Sequence, residues 1–425
     1  MIGAQTRRLA ALCIHDTLAR RQTLDRTFET TKGLTALSPS DLGFVRALVQ
    51  AAFRELGRID NLLAEMVSRP FGDLDPMVQA LLRVGAVQLW RLDTPPHAGV
   101  GETVAAARLD HNTSKASGLI NAVLRRAAER DAPLDTLPAQ AIWPVWFRDR
   151  LSVSLSEHQV NQLAQAQLKT PMLHLTAKAP AKTAKALDGD LLPSGSVSLP
   201  MGAVAKLPGY SDGEWWVQDA AATLPVSILA PIANERVLDL CAAPGGKTMQ
   251  LAQAGADVTA LDRSEGRLKR VVSNLDRTQL GDRATCVTAD GRTYKPDEPY
   301  DAVLLDAPCS AMGTLARQPE GAWIKRPEDL EGFPRVQQDL LAAAHNLVKP
   351  GGRMVYCVCT PLVEEGRVVI EDALKGEEWE RDPIVSKQMR GFEHCGTPEG
   401  DLLTIPSNDE QHDAFFISRL IRRPV

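Results

Sequence analysis

The chain has 425 residues, of which 44% are hydrophobic and 24% are charged, as in a globular protein rather than a disordered one. With 48 Lys and Arg against 53 Asp and Glu, the net charge of −5 gives no nucleic-acid-binding signature over the chain as a whole. No apolar stretch approaches the roughly 20 residues of a membrane-spanning helix, and the seven cysteines, which lack a repeating spacing, favour reduced thiols and a cytoplasmic location.

Residues 1–131 are predicted to form an all-helical domain. Apolar residues recur at helical spacing in segments 40–60, 75–90 and 118–130. The first 130 residues hold 17 Lys and Arg against 13 Asp and Glu, so any contact with a polyanion is expected to be local. The candidates for RNA-phosphate contact are Arg125, Arg126 and Arg130, for which an ordinary solvated face is an equal alternative.

Residues 132–214 lack the continuous helical pattern of the first domain and are predicted to form a small α+β module. Prolines punctuate this stretch, and a strand-like segment at 171–178 precedes an Ala- and Lys-rich helical segment at 179–187. An elaborate linker is the alternative interpretation.

Residues 215–425 alternate between strand and helix patterns, which predicts an α/β domain with a doubly wound, Rossmann-type parallel sheet. Ligands of such sheets bind at the carboxyl ends of the strands. The predicted strands are 236–241, 257–262, 284–290, 300–308 and 353–359, and the predicted helices are 245–255, 265–278 and 327–347.

The loop after the first of these strands, within 239–248, contains two glycines that let backbone N–H groups approach a ligand. Gly246–Thr248 resembles the end of a phosphate-binding loop, but Cys241 occupies the position of that motif's first glycine, which disfavours nucleotide hydrolysis. Asp262 ends the next strand, where an acid suits two ribose hydroxyls, and Asp290 is expected near an adenine amine. A nucleoside without a phosphate cradle indicates S-adenosylmethionine.

Thiols follow the last two strands of this series. Asp306 lies near the end of the fourth strand and Cys309 comes directly after it, whereas Cys357 and Cys359 end the fifth. A thiolate that adds to C6 of cytosine makes C5 nucleophilic enough to take a methyl group, which requires a cysteine beside the methyl donor. Two adjacent thiols favour this chemistry over buried structural cysteines, and a metal site is rejected because no second Cys pair or His cluster accompanies them.

Together these motifs resemble bacterial RNA 5-cytosine methyltransferases, specifically the 16S ribosomal RNA methyltransferase B group. The matching motifs occur in order as VQDAAATL, DLCAAPGGKT, ALD, ADGR, DAPCSAMGT, YCVCT and DAFF. RIDNLLAEMV and GLINAVLRR resemble the NusB-like RNA-binding domain of that group. The resemblance covers essentially the whole chain.

The resemblance implies S-adenosylmethionine as cofactor and RNA, specifically 16S ribosomal RNA or a small-subunit precursor, as partner. It implies that Cys359 is the nucleophile and that Cys309 assists product release. It also implies that Asp306 lies between cofactor and cytosine, with Lys247 in the same pocket. Because DNA cytosine methyltransferases use the cysteine after proline, Cys309 is the rival nucleophile. The cofactor residues implied are Cys241, Ala242, Ala243, Pro244, Gly245, Gly246, Lys247, Asp262, Asp290 and Asp306.

The sequence departs from the family pattern at a few positions. Cys357 and Val358 stand where Ser or Ala and Thr are usual, and Gly366 replaces a common Asn. Two alternatives stay open: the same chemistry on transfer RNA or another RNA, and an inactive RNA-binding assembly factor. A monomer is expected, because no signal of a symmetric interface is present.

Overall fold

The computed structural model describes residues 2–407 and 410–424 and divides into two compact units, each described by itself. Of the described residues, the helical unit comprises 2–152, 167–169 and 315–327, and the sheet unit comprises 153–166, 170–314, 328–407 and 410–424. The three-part division at 131 and 214 stays a prediction.

The helices follow one another along the chain with these bounds. They are α1 Ile2–Arg20, α2 Leu24–Thr30, α3 Pro39–Arg54, α4 Leu56–Ala64, α5 Pro76–Trp90, α6 Pro96–Arg108, α7 His111–Ser114, α8 Ser117–Ala128, α9 Val145–Ser154, α10 Glu157–Leu168, α11 Pro180–Leu187, α12 Leu224–Leu229, α13 Gly246–Gln253, α14 Glu265–Arg277, α15 Gly321–Ile324, α16 Pro327–Leu330, α17 Phe333–Leu347, α18 Arg367–Ala373 and α19 Ser386–Met389. None of the helices described is long and apolar enough to cross a membrane.

The helical unit confirms the helices predicted in the first 130 residues, with refined boundaries. The Ser38 side chain accepts a hydrogen bond from the Asp41 N–H and begins α3, whereas Asp75 caps α5 in the same way. The helix predicted over 40–60 is interrupted at Glu55, which separates α3 from α4. One apolar core unites these helices.

Two sheets form the sheet unit. The strands are β1 Leu173–Ala177, β2 Asp190–Leu191, β3 Val197–Leu199, β4 Trp215–Val217, β5 Arg236–Leu240, β6 Asp257–Asp262, β7 Ala284–Thr288, β8 Tyr300–Asp306, β9 Val348–Val358, β10 Trp379–Arg381, β11 Leu402–Thr404 and β12 Phe415–Arg422. The small sheet is antiparallel, with order β2-β3-β1-β4, and the large sheet has order β10-β12-β9-β8-β5-β6-β7, with β11 paired to β12.

The large sheet confirms the predicted Rossmann-type fold. Strands β5 to β9 are parallel, and β12 adds an antiparallel strand beside β9. Apolar residues cover both faces: Val237 belongs to one core, and Leu238 and Leu240 belong to the other. Since Asp306 pairs in register with Cys357, the ends of β8 and β9 lie side by side.

Several predicted boundaries were wrong in detail. Residues 327–347 form two helices, α16 and α17, rather than one. Strand β9 already begins at Val348, because the Pro-Gly-Gly turn lies within it, with Gly351 at a φ of 74°. Strand β7 ends at Thr288, so Asp290 lies in the following loop rather than at the strand end.

Candidate active site

The loop between β5 and α13 is held by backbone hydrogen bonds to the neighbouring strand. The N–H groups of Cys241 and Ala242 donate to the Leu261 carbonyl at 2.9 and 3.0 Å. Gly245, at a φ of 104°, turns the chain into α13 without a side-chain cap. The first N–H groups of α13 therefore have no partner within the helix and are available to a ligand.

Two acids flank this loop. Asp239 is fully buried; its Oδ2 accepts from Thr248 Oγ1 at 2.5 Å, and its Oδ1 has no hydrogen-bond partner among the described residues. Burial raises the pKa of Asp239 to about 7. Asp262 is 2% exposed and accepts from the N–H groups of Ser264 at 2.9 Å and Ala243 at 3.3 Å. Asp262 thereby fixes the loop as well as the strand end.

Asp290 is paired with a neighbouring arginine, and its predicted contact with an adenine amine stays a prediction. Its carboxylate is partly exposed and accepts hydrogen bonds from the Arg292 guanidinium at 3.0 and 2.6 Å. These bonds, together with the Arg292 N–H, lower the pKa of Asp290 to about 2. Asp290 is thus an ionised acceptor held by Arg292.

Lys247 and Asp306 form the central charged pair. Lys247 Nζ lies 2.8 Å from Asp306 Oδ2 and 5.3 Å from the centroid of the Phe415 ring. Although burial lowers the pKa of Lys247, the Asp306 carboxylate outweighs it and leaves that pKa above its usual value. Cys357 Sγ lies 3.5 Å from the other carboxylate oxygen of Asp306.

The two predicted catalytic thiols are in contact. Cys309 Sγ lies 3.3 Å from Cys359 Sγ, and both side chains are half-buried and reduced. The hydrogen bond to Cys359, together with burial, raises the pKa of Cys309 well above its usual value. Cys357 is fully buried and contacts Asp306 instead, and burial strongly raises the pKa of its thiol.

Two buried polar residues near the thiols were not among the predicted site residues. Gln337 and Glu365 hydrogen-bond to the peptide groups on either side of Cys309. The only signal in the sequence was a pair of acidic residues, Glu364 and Glu365, shortly after Cys359. Such a pair is common on surfaces, so it does not by itself indicate a buried carboxyl.

The residues around the loop fit the S-adenosylmethionine expected from the sequence. The uncapped start of α13 offers N–H donors, and the unpartnered Oδ1 of Asp239 offers a buried acceptor. Asp262 and Asp290 add carboxylates on β6 and in the loop after β7. This donor set suits a nucleoside with an amino-acid group better than a pyrophosphate, because Cys241 replaces the first glycine of the phosphate-binding motif and Lys247 is paired with Asp306.

The candidate RNA-binding arginines belong to the helical unit and differ in environment. Arg125 and Arg126 are exposed on α8. Arg130 follows that helix and pairs with Glu65 at 2.9 Å. Arg125 and Arg126 are therefore better placed to reach an anion than Arg130.

Comparison with known proteins assigns both parts of the chain to families. The model of the family described as 16S rRNA methyltransferase RsmB/F matches residues 226–421, and that of the NusB family matches residues 4–129. Two curated relatives are ribosomal RNA small subunit methyltransferase B from Salmonella arizonae, 32% identical, and from Shigella flexneri serotype 5b, 31% identical, each covering 98% of both chains.

Solved structures share the fold. The protein PH0851 superposes with a TM-score of 0.74 at 21% identity, covering 98% of both chains. A methyltransferase homolog protein from Pyrococcus horikoshii superposes with a TM-score of 0.54 at 22% identity, covering 66% of this chain and 95% of its own. Given the identity to curated relatives over almost the whole length, the chain belongs to the 16S rRNA methyltransferase RsmB/F family, and its methyl donor is S-adenosylmethionine.

Proposed function

We propose that this protein methylates C5 of a cytosine in 16S ribosomal RNA through a transient bond between Cys359 and C6 of the base. The observation that carries the proposal is the pair of thiols 3.3 Å apart, at the strand edge that also holds Lys247 and Asp306. Covalent activation is needed because C5 of cytosine is a poor nucleophile in the aromatic ring.

The chain's own residues account for the binding and activation of the base. When bound, S-adenosylmethionine supplies an electrophilic methyl group on a sulfonium. Asp306 is oriented by Lys247, and its carboxylate suits the exocyclic amine of cytosine, which is a hydrogen-bond donor. The Cys359 thiolate forms a bond to C6, and the ring electrons displaced toward C5 form the new bond to the methyl carbon. The bond between that carbon and the donor's sulfonium sulfur breaks at the same time, and its electrons stay on the sulfur.

Release of the product reverses the thiol addition. A base removes the proton from C5, the electrons of that bond restore the C5–C6 double bond, and the C6–S electrons return to the Cys359 sulfur. Cys309 lies beside that sulfur and assists its departure. A target base in structured RNA must leave its stack to reach these thiols.

Two arguments favour Cys359 rather than Cys309 as the nucleophile: the environment of Cys309 and the family resemblance. The hydrogen bond to Cys359 and burial raise the pKa of Cys309 well above its usual value. A thiolate is the reactive form of cysteine, so this environment disfavours attack by Cys309. The family resemblance supports the same assignment.

The identity of the RNA is supported by the names of the relatives, which act on the small ribosomal subunit, and by the match to the NusB family. Transfer RNA methylation and an inactive assembly factor are the competing hypotheses, and the intact pair of thiols argues against the second. The monomeric state and the cytoplasmic location stay predictions.

Bisulfite sequencing of 16S ribosomal RNA from cells with and without the gene tests the substrate. One cytosine should lose its protection when the gene is absent. An unchanged pattern, together with methylation of transfer RNA by the purified protein, would contradict the ribosomal assignment. Failure to methylate any RNA would contradict the reaction itself.

Substitution of the thiols tests the mechanism. Cys359→Ala should abolish methyl transfer, and Cys309→Ala should accumulate a denaturation-resistant RNA adduct on Cys359, seen on a denaturing gel. Cys286→Ser, which alters another half-buried thiol of the sheet, is the matched control and should behave as the wild type. Full activity of Cys359→Ala would refute the covalent mechanism.

A further inference from the structure

The peptide groups on both sides of Cys309 are held by one pair of buried side chains. The Ser310 N–H donates to Glu365 Oε2 at 2.8 Å, and Gln337 Nε2 donates to the Pro308 carbonyl at 2.9 Å. Gln337 Nε2 also donates to the same oxygen of Glu365, at 3.0 Å. Glu365 and Gln337 are both fully buried. The backbone around Cys309 is therefore fixed at two points by a Glu–Gln pair.

The same network is anchored to the strand that leads to Cys359. The Tyr356 hydroxyl donates to the main-chain carbonyl of Glu365 at 2.5 Å. Ser310 Oγ, in the residue after Cys309, lies 3.2 Å from Thr360 Oγ1, in the residue after Cys359. Since these bonds join the two loops directly beside the sulfur atoms, they constrain the separation of the thiols.

Burial of the Glu365 carboxyl is energetically unfavourable, so its presence calls for a functional explanation. Across the described ranges 2–407 and 410–424, no Lys or Arg pairs with its carboxylate, and its Oε1 has no hydrogen-bond partner. Burial raises the pKa of Glu365. Burying a carboxyl that has no cationic partner costs free energy, so packing alone gives no reason for a carboxyl here.

Its charge also acts on the neighbouring thiol. The pKa of Cys309 is raised first by the hydrogen bond to Cys359 and by burial, and the charge of Glu365 raises it further. These influences together favour the protonated form of Cys309, which is the form that can donate a hydrogen bond to the Cys359 sulfur.

We propose that Glu365 is a positioning residue for product release: it holds the Cys309 S–H where it donates a hydrogen bond to the Cys359 sulfur as the C6–S bond breaks. In that step water takes the C5 proton, the C5–H electrons form the C5–C6 double bond, and the C6–S electrons leave on Cys359 as a thiolate. The inference rests on the proposed cytosine methylation and adds a residue that does not touch the substrate.

The test compares Glu365→Ala and Glu365→Gln with Glu371→Gln, an exposed carboxylate on α18. The full-length proteins are mixed with S-adenosylmethionine and 16S ribosomal RNA. The RNA adduct, the single-turnover methylation rate, kcat and KM are then measured. Glu365→Ala should lower kcat about 10- to 100-fold and accumulate adduct, with KM for RNA and the first methyl transfer almost unchanged.

Glu365→Gln should have a smaller effect in the same direction, because its amide oxygen can still accept the Ser310 N–H. Glu371→Gln should match the wild type. If the Glu365 variants release product as the wild type does while Cys309→Ala accumulates adduct, the inference is overturned and the proposed function stands. If the wild type methylates no RNA, and Cys309→Ala forms no adduct, the proposed function itself fails.

Loss of folding is separated from loss of positioning by the thermal melting of each variant. Should Glu365→Ala fail to fold, the comparison of Glu365→Gln with Glu371→Gln decides. Excess adduct in Glu365→Gln alone supports the proposal, and equal amounts in both variants overturn it.

Discussion

The Gly313 N–H donates a hydrogen bond of 2.9 Å to the carbonyl oxygen of Cys359. On its other side the Gly313 carbonyl accepts a bond of 2.9 Å from the Ala414 N–H, just before β12. The segment that carries Cys309 is thus bonded to the residue of the proposed nucleophile and to the start of the neighbouring strand. No side chain fits between them, because a Cβ atom on Gly313 would lie 2.0 Å from the Ala414 oxygen.

Gly313→Ala should therefore displace Cys359 or Ala414, lower the free energy of unfolding by about 2–3 kcal/mol and reduce kcat. Gly332→Ala is the control, since nothing lies within 4 Å of its added Cβ. Chemical denaturation and methylation assays measure both effects. Equal stability and activity of the two variants would contradict the close packing at Gly313.

Lys247→Met should leave the Asp306 carboxylate without its ammonium partner. Because Lys247 and Asp306 expose only 10% and 31% of their side chains, we expect a loss of about 3 kcal/mol of unfolding free energy and a large fall in kcat. Lys269→Met, on the exposed face of α14, should have neither effect. A double-mutant cycle with Asp306→Asn measures the coupling, and independent effects of the two substitutions would argue against the pair.

Asp239 should make stability depend on pH. Its pKa is about 7 in the folded protein and about 4 in the unfolded chain, so its contribution to stability is complete below pH 4. As pH rises from 4 to 7 the unfolded chain ionises first, and the free energy of unfolding falls by up to roughly 4 kcal/mol. The Asp239→Asn variant has no carboxyl at this position, so it should not lose this free energy of unfolding as pH rises.

The unfolding free energy of Asp239→Asn should therefore rise relative to the wild type between pH 4 and 7 and stay level above pH 7. Urea denaturation at several pH values measures the difference. Asp276→Asn, on the exposed surface of α14, provides the comparison. A difference that does not vary with pH would contradict the raised pKa of Asp239 in the folded protein.

Arg125 and Arg126 give the prediction for RNA affinity. If both side chains contact phosphates, the double variant Arg125→Ala/Arg126→Ala should bind RNA more weakly. The slope of the logarithm of the binding constant against the logarithm of the salt concentration should also fall by about one unit per lost contact. Lys32→Ala, also exposed in the helical unit, should change neither quantity. Filter binding at several salt concentrations distinguishes these outcomes, and an unaltered slope would assign the arginines to an ordinary solvated face.

Much of the fold and of the candidate site could be predicted because the required information is local. The periodicity of apolar residues determined the helices of the first 130 residues and the strands β5, β6 and β8. Parallel strands present their carboxyl ends at one edge, so Asp262, Asp306 and Cys309 could be assigned to a common site without knowledge of the strand order.

Other features depended on the tertiary structure. The sequence offered three candidate thiols, Cys309, Cys357 and Cys359. The pairing of β8 with β9 and the contacts of the loops decide which of them touch: Cys309 contacts Cys359, whereas Cys357 contacts Asp306. Likewise, spacing alone could not indicate that Arg130 pairs with Glu65.

The sequence by itself determined the fold class, the family and the set of reactive groups. The reason is that the periodicity of apolar residues in helices and strands, and the motifs that carry the chemistry, depend only on residues close together in the chain. Only the tertiary structure decided which groups touch, which are buried and which backbone bonds hold them. Glu365 illustrates the difference: its acidic neighbour in sequence suggests a surface, but its contacts are with Ser310 and Gln337, 55 and 28 residues away. Such contacts are set by long-range packing, which brings distant side chains together and excludes water from between them.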